Sequence, residues 1–312
     1  MSYDLQRTSG RTRFAAKGAR NATLAGLSRQ SGGHNLRNRI FQGVLLVTVS
    51  IALIGLAAIL IDAFNKGLPR LGFDIVTKST SANPERAGFK QAIIGTLYLM
   101  GLLAVMVVPL GVASAIYLEE YANSRRWYNK IIDINIQNLA AIPAIIYGIL
   151  VLAFVVRGPI GIGFILFAGA VALTLLVLPT VIIASREAIR AVPPSIRDGS
   201  LALGATPWQT TWRQVLPTAS PGILTGVILA ISRAIGEAAP LLLLGAATFI
   251  RFNPSIFEGQ YTALPVLIYN YARRAQEGMI PLAAAGVIVM LIMLLLMNSV
   301  AIWLRNRYQK KW

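Results

Sequence analysis

The 312 residues are 55% hydrophobic and only 13% charged, against the roughly 25% charged of soluble domains, which excludes an ordinary soluble fold. The net charge of +17 comes from basic residues at the ends of apolar runs and in one tail, without interleaved aromatics, which argues against specific nucleic-acid binding. Cysteine is absent, so disulfides and thiolate metal sites are excluded, and the single histidine, His34, stands alone in a polar tail.

Residues 1–39 carry eight Lys or Arg and one acid among Gly, Ser and Asn, too little apolar surface to fold alone. They read as a basic tail lying loosely on anionic membrane lipid, at about 1 kcal/mol per basic residue near the surface. A bilayer core takes about 20 mainly apolar residues per helix, and a helix satisfies its backbone polar groups internally. Six segments qualify: 40–61, 92–118, 138–156, 161–184, 221–250 and 279–304. The expected fold is therefore an all-α integral membrane domain of six transmembrane helices over 40–305, followed by a second basic tail at 306–312. The first run begins too late and is too long for a cleavable leader, so it counts as a span.

Basic residues set the orientation. Segments 1–39, 119–137, 185–220 and 305–312 hold eight, three, four and four, nineteen in all. The other side holds five in 62–90, Arg157 and three in 251–278, nine in all, while Arg233 falls inside a span. That bias places both termini and the 185–220 loop in the cytoplasm.

Within the spans, Pro109 followed by Gly111 predicts a kink in the second. The third contains Pro143 after Asn138, and Gly163, Gly169, Ala170 and Ala172 suit close helix approach in the fourth. The fifth differs from the rest, because ILAISRAIGEAAPLLLLG carries Arg233 and Glu237. Counted from Pro221 at about 1.5 Å per residue, they lie about 18 and about 24 Å in. An isolated charge at mid-bilayer costs about 2.5–3.5 kcal/mol, so such a pair marks either a polar path or a structural salt bridge. At i and i+4 the two share one face and neutralise each other, and Pro240 near Gly236 sets the pair at a kink. Beyond this span, Tyr261, Tyr269 and Tyr271 with Leu264, Val266 and Ile268 predict a short helix in the membrane interface, an aromatic belt or a docking surface.

The longest polar gap, 185–220, reads SREAIRAVPPSIRDGSLALGATPWQTTWRQVLPTAS. Pro193-Pro194 favours a helix start and Gly204 interrupts the run, so 195–203 and 207–215 read as two short helices forming a cytoplasmic knob. Seated in a partner's cleft, such a knob carries rigid-body motion to the spans.

This loop resembles the EAA motif of ABC importer permeases: EAA, three residues, Gly, then Leu-Pro twelve residues past the glycine. Here Asp198, Gly199 and Ser200 stand for EAA, with Gly204 and Leu216-Pro217 at that spacing. Gln214 departs from the family's branched apolar residue. The flanks GTLYLMGLLAVMVVPLGVASAIYLEEYA, NLAAIPAIIYGILVLAFVV, AIGEAAPLLLLG and ALPVLIYNYA resemble the A-type phosphate-importer permeases, the PstA family, over about 90–305. The resemblance implies the type I ABC importer permease (MetI-like) architecture in a bacterial inner membrane. It also implies a C-type partner permease, a dimeric ATPase, an extracytoplasmic phosphate-binding protein and inorganic phosphate as substrate. ATP and Mg would be held by the ATPase, with no cofactor and no catalysis in this chain. The knob, Arg197 to Gly204 with Leu216 and Pro217, would be the coupling element, and Arg233 and Glu237 would match the family's charged pair. A secondary transporter, or an ABC permease for molybdate, sulfate or phosphonate, is the alternative. The first should carry several intramembrane acids, and only Glu237 is one.

Overall fold

The computed structural model describes residues 37–123, 126–247, 249–250 and 252–308, and the tails expected at 1–39 and 306–312 lie outside these except for 37–39 and 306–308, which are helical. Contacts divide the chain into Met1–Asp62 and Ala63–Trp312. Among the described residues every regular element is helical. Among the described residues five helices are long and apolar enough to cross a membrane, or six when one bent pair counts as a span.

Helix α1 (Arg37–Arg70) begins in the first unit and ends in the second. In the first unit Ile40, Phe41, Leu46, Ile54 and Ile59 make the helix apolar around its whole circumference, the pattern of a helix that lies in apolar surroundings.

In the second unit, α2 (Phe73–Thr77) leads to α3 (Lys90–Tyr121), whose last turn, Tyr117–Tyr121, is a π-turn. The helix continues through Pro109, and two residues on Gly111 fits against Val181 of the neighbouring helix. The third span, expected as one run over 138–156, is two helices: α4 (Trp127–Ala140) and α5 (Ala144–Val156) meet at 105°. Pro143 is the N-cap of α5; a proline lacks the N–H to continue α4 and pushes the preceding residue out of helical geometry. The Tyr147 hydroxyl donates to the Leu139 carbonyl at 2.7 Å, adding to the 3.2 Å bond that this carbonyl accepts from the Ile142 N–H and tying α5 to the end of α4.

Helix α6 (Leu166–Arg190) starts five residues later than expected, because Gly161 and Gly163 have φ of +62° and +79° and belong to the preceding turn. Gly163 therefore takes no part in helix packing. Helix α7 (Pro194–Ala202) precedes α8 (Pro207–Ile235), so the second short helix expected at 207–215 is the start of a span. That helix ends fifteen residues short of the expected 250; α9 (Ala239–Leu243) follows, then α10 (Leu264–Ala272) and α11 (Met279–Tyr308).

The core lies where α3, α6 and α8 meet: Leu99, Leu103, Leu173, Val181 and Val227 are buried there. Between α6 and α8 small residues set the spacing. A Cβ on Gly226 would stand 2.4 Å from Ala184 Cβ and one on Gly222 2.7 Å from Ala188 Cβ, so only glycine permits this approach. Helix α10 packs into the bundle: Leu264, Val266, Leu267 and Tyr271 are fully buried, Tyr271 edge-on to Phe89 at 5.7 Å, while Tyr269 is exposed. Tyr261 is likewise fully buried, so of the three tyrosines only Tyr269 keeps an exposed position.

Candidate functional site

Two places carry the residues singled out by sequence: the knob between α6 and α8, and the break between α8 and α9. The knob is built from local chemistry. Pro193 caps α7 and Pro194 occupies its first turn. At the other end the Ala205 N–H donates to Ser200 O and the Gly204 N–H to Leu201 O, a Schellman closure that requires the left-handed φ of +84° found at Gly204. Thr206 and Gln209 then form a reciprocal capping box at the start of α8. Thr211–Val215 is a π-turn immediately before Leu216-Pro217. Pro217 has no N–H for the Arg213 carbonyl and its ring crowds that turn, which widens it.

None of the α7 residues is buried. Asp198 and Gly199 face outward, Leu203 is 91% exposed, and Trp208 and Trp212 lie exposed with ring centroids 5.2 Å apart. Ser200 Oγ and Thr210 Oγ1 are hydrogen-bonded at 2.9 Å across the turn, whereas Leu216 is half-buried and Pro217 exposed. Arg197 points inward. It donates to Glu120 Oε1 at 2.8 Å from α3 and to the carbonyls of Val192 at 2.7 Å and Ile189 at 2.9 Å, where α6 ends.

Around this point the helix ends are joined by ions that the sequence reading counted only as loop charges. Glu119 of α3 accepts from Arg190 at 2.9 Å and from Arg186 at 3.4 Å, and Arg186 also pairs with Asp133 of α4. The signal available was the doubled acid of YLEEY at one span end and two arginines spaced i, i+4 at another, but nothing local says that they meet.

At the break, α8 ends at Ile235 with Gly236 as its C-cap, and Pro240 sits in the first turn of α9. Arg233 lies in the last turn of α8, where a cation complements the helix dipole, and is exposed; Glu237 is half-buried between the two helices. Among the described residues no ion pair joins them. The expected pairing assumed a continuous helix from 233 to 237, and the helix stops two residues after Arg233. Next to Arg233, Ser232 Oγ donates to Asn298 Oδ1 of α11 at 2.6 Å, a polar contact the sequence reading missed although Asn298 interrupts an apolar run. The break rests on the elbow of the bent pair: a Cβ on Gly148 of α5 would stand 2.8 Å from Pro240 Cα.

The helical arrangement as a whole matches solved transporters. The structure of a bacterial alginate ABC transporter with its periplasmic protein matches with a TM-score of 0.63 at 19% identity, covering 88% of this chain and 96% of that one. An inward-facing MetNI methionine ABC transporter matches with 0.55 at 18% identity, covering 70% and 94%. The fold is that of the type I ABC importer permeases.

Residues 107–312 match the family described as binding-protein-dependent transport system inner membrane component, and the chain belongs to that family. A Bacillus subtilis relative described as the probable ABC transporter permease protein YqgI is 33% identical over 82% of this chain and 92% of its own length. The phosphate transport system permease protein PstA of Haemophilus influenzae is 34% identical over 84% of this chain and 91% of its own length. PstA 1 of Mycobacterium tuberculosis is 39% identical over 59% of each chain.

Proposed function

We propose that this chain is the A-type permease subunit of an ATP-driven importer of inorganic phosphate. The observation that carries the reading is the 34% identity, over 84% of the chain, to a protein named for phosphate transport. The family match takes in both the knob and the break. The exposed α7 and the α8–α9 break support it.

In this reading the chain lies in a bacterial inner membrane with both termini and the knob in the cytoplasm. A C-type permease completes the path, a dimeric ATPase binds ATP and Mg, and an extracytoplasmic binding protein delivers phosphate. The exposed face of α7, with Asp198, Gly199 and Gly204, enters a cleft of the ATPase. Closure of the ATPase moves α7 and switches the spans between inward- and outward-facing states. Arg233, exposed at the end of α8 with no ion-pair partner among the described residues, offers a cation to the phosphate dianion. Glu237 at the break limits how tightly the anion is held, since transport requires release as well as capture.

The test is phosphate uptake into proteoliposomes holding this chain, the C-type permease, the ATPase and the binding protein, with sulfate and molybdate as competitors. Uptake that needs all four components and resists the competitors is expected. Uptake by this chain without the ATPase would mean a secondary transporter, and preferential uptake of molybdate or sulfate would reassign the substrate.

A further inference from the structure

Helix α7 is joined through the backbone to α6 at Ala191–Pro193 and to α8 at Leu203–Thr206. It has no such link to α3, the long helix packed along both α6 and α8. No residue of α7 is buried, and Ile196 is its one hydrophobic side chain packed against the core, partly covered. Apolar packing therefore ties the knob only weakly to the bundle, and its connection to α3 is polar.

That connection is Arg197. Its Nε and Nη2 both donate to Glu120 Oε1, at 3.2 and 2.8 Å, while Nη1 and Nη2 also reach the carbonyls of Val192 and Ile189. One guanidinium thus bridges three helices, a use of its rigid five-donor fork that lysine does not reproduce. The Arg197 and Glu120 side chains are 23% and 12% exposed, so solvent screens the pair less than a surface ion pair. One residue before Glu120, Glu119 is held by Arg186 and Arg190 of α6, which fixes the end of α3 against the helix from which α7 departs.

We propose that the Arg197–Glu120 pair is the fastening through which displacement of α7 drives α3, making both of them positioning residues of the transport cycle. The proposal rests on the coupling role assigned to α7. When the knob is pushed, α6 and α8 follow through the chain, and α3 follows through this ion pair. With the pair cut, the ATPase still turns over against the knob, but α3 lags and ATP is hydrolysed without a complete switch.

The experiment uses the complete importer in proteoliposomes and reads phosphate transported per ATP hydrolysed for Glu120→Ala, Glu120→Gln, Arg197→Met, the double variant Glu120→Ala with Arg197→Met, and Asp198→Lys. Glu120→Ala and Arg197→Met are each expected to lower the ratio about tenfold, the scale of losing one charge-assisted hydrogen-bonded pair. The double variant falls no further than the worse single one, because both remove the same link. Glu120→Gln keeps an acceptor oxygen facing Arg197 and recovers most of the ratio, which separates the link from simple loss of fold should the alanine variant assemble poorly. A wild-type ratio in both single variants, additive losses, or no recovery with glutamine overturns the fastening. If Asp198→Lys lowers the ratio while the Glu120 and Arg197 variants do not, only the fastening fails; if Asp198→Lys leaves it unchanged as well, the coupling role of α7 fails with it.

Discussion

Replacing Gly148 by alanine tests whether the elbow of the bent pair sets the position of the α8–α9 break. In an unconstrained helix this change is stabilising, because glycine in a helix interior costs about 0.5–1 kcal/mol relative to alanine. Here the new Cβ would lie 2.8 Å from Pro240 Cα and 3.2 Å from both Pro240 Cβ and Pro240 O, while ordinary contact begins at 3.4 Å, so the backbone at Pro240 must retreat by 3.4 − 2.8 = 0.6 Å. Pro240 is in the first turn of a five-residue helix directly after the break, and its backbone has no flexible tip that can give way. Overpacking of this kind costs about 1–3 kcal/mol, enough to reverse the sign of the helix-propensity gain. At about 2–4 °C for each kcal/mol in a unit of this size, the purified complex melts several degrees lower, and Gly148→Val falls further. Phosphate uptake falls with it, since the displaced residue adjoins the segment that carries Glu237. Gly101→Ala is the control: that glycine is exposed in α3 with nothing within 4 Å of its added Cβ, and the change should be neutral or slightly stabilising. If Gly148→Ala melts as high as Gly101→Ala and transports normally, the contact between elbow and break is wrong.

Gly204→Val forces a β-branched residue into a φ of +84°, at a cost of about 1–2 kcal/mol or more. Because α7 buries no residue, global melting should hardly move, whereas hydrogen exchange across 199–206 rises and phosphate transported per ATP falls; unchanged exchange would refute the Schellman closure as its lock. Arg233→Gln should abolish uptake while the four components still co-purify, and failure of assembly would instead assign Arg233 to an interface between subunits. Gly169→Ala brings a Cβ to 2.7 Å from the Tyr261 hydroxyl and should lower the melting temperature. Tyr261→Phe in the same chain relieves that contact and should recover part of the loss, so equal melting with and without the hydroxyl would place the strain elsewhere.

How much was legible in advance follows from which physical terms are local. Composition and the length of apolar runs fix the membrane class and the six hydrophobic segments, because transfer into lipid depends on each segment's own side chains. The ends of α7 were legible for a similar reason: Pro193-Pro194 and Gly204 act through their own backbone preferences, and the capping box of Thr206 and Gln209 stands in the sequence as T-P-W-Q. The breaks were not legible from hydropathy. Both 138–156 and 221–250 are apolar when averaged over their length, and the sum does not register that α4 and α5 turn by 105° or that α8 stops at Ile235. Proline did not decide this by itself, since Pro109 lies inside an unbroken helix whereas Pro143 and Pro240 stand at starts. What differs is the surroundings. The Leu139 carbonyl at the end of α4 takes a second bond from the Tyr147 hydroxyl, and Pro240 finds the bare backbone of Gly148. The pairing of Arg233 with Glu237 failed with the continuous helix it assumed. The ion pairs that do form, Arg197 with Glu120 and Arg186 and Arg190 with Glu119, join residues 67–77 apart in sequence, and only the packing of α3 against α6 brings those charges within reach of one another.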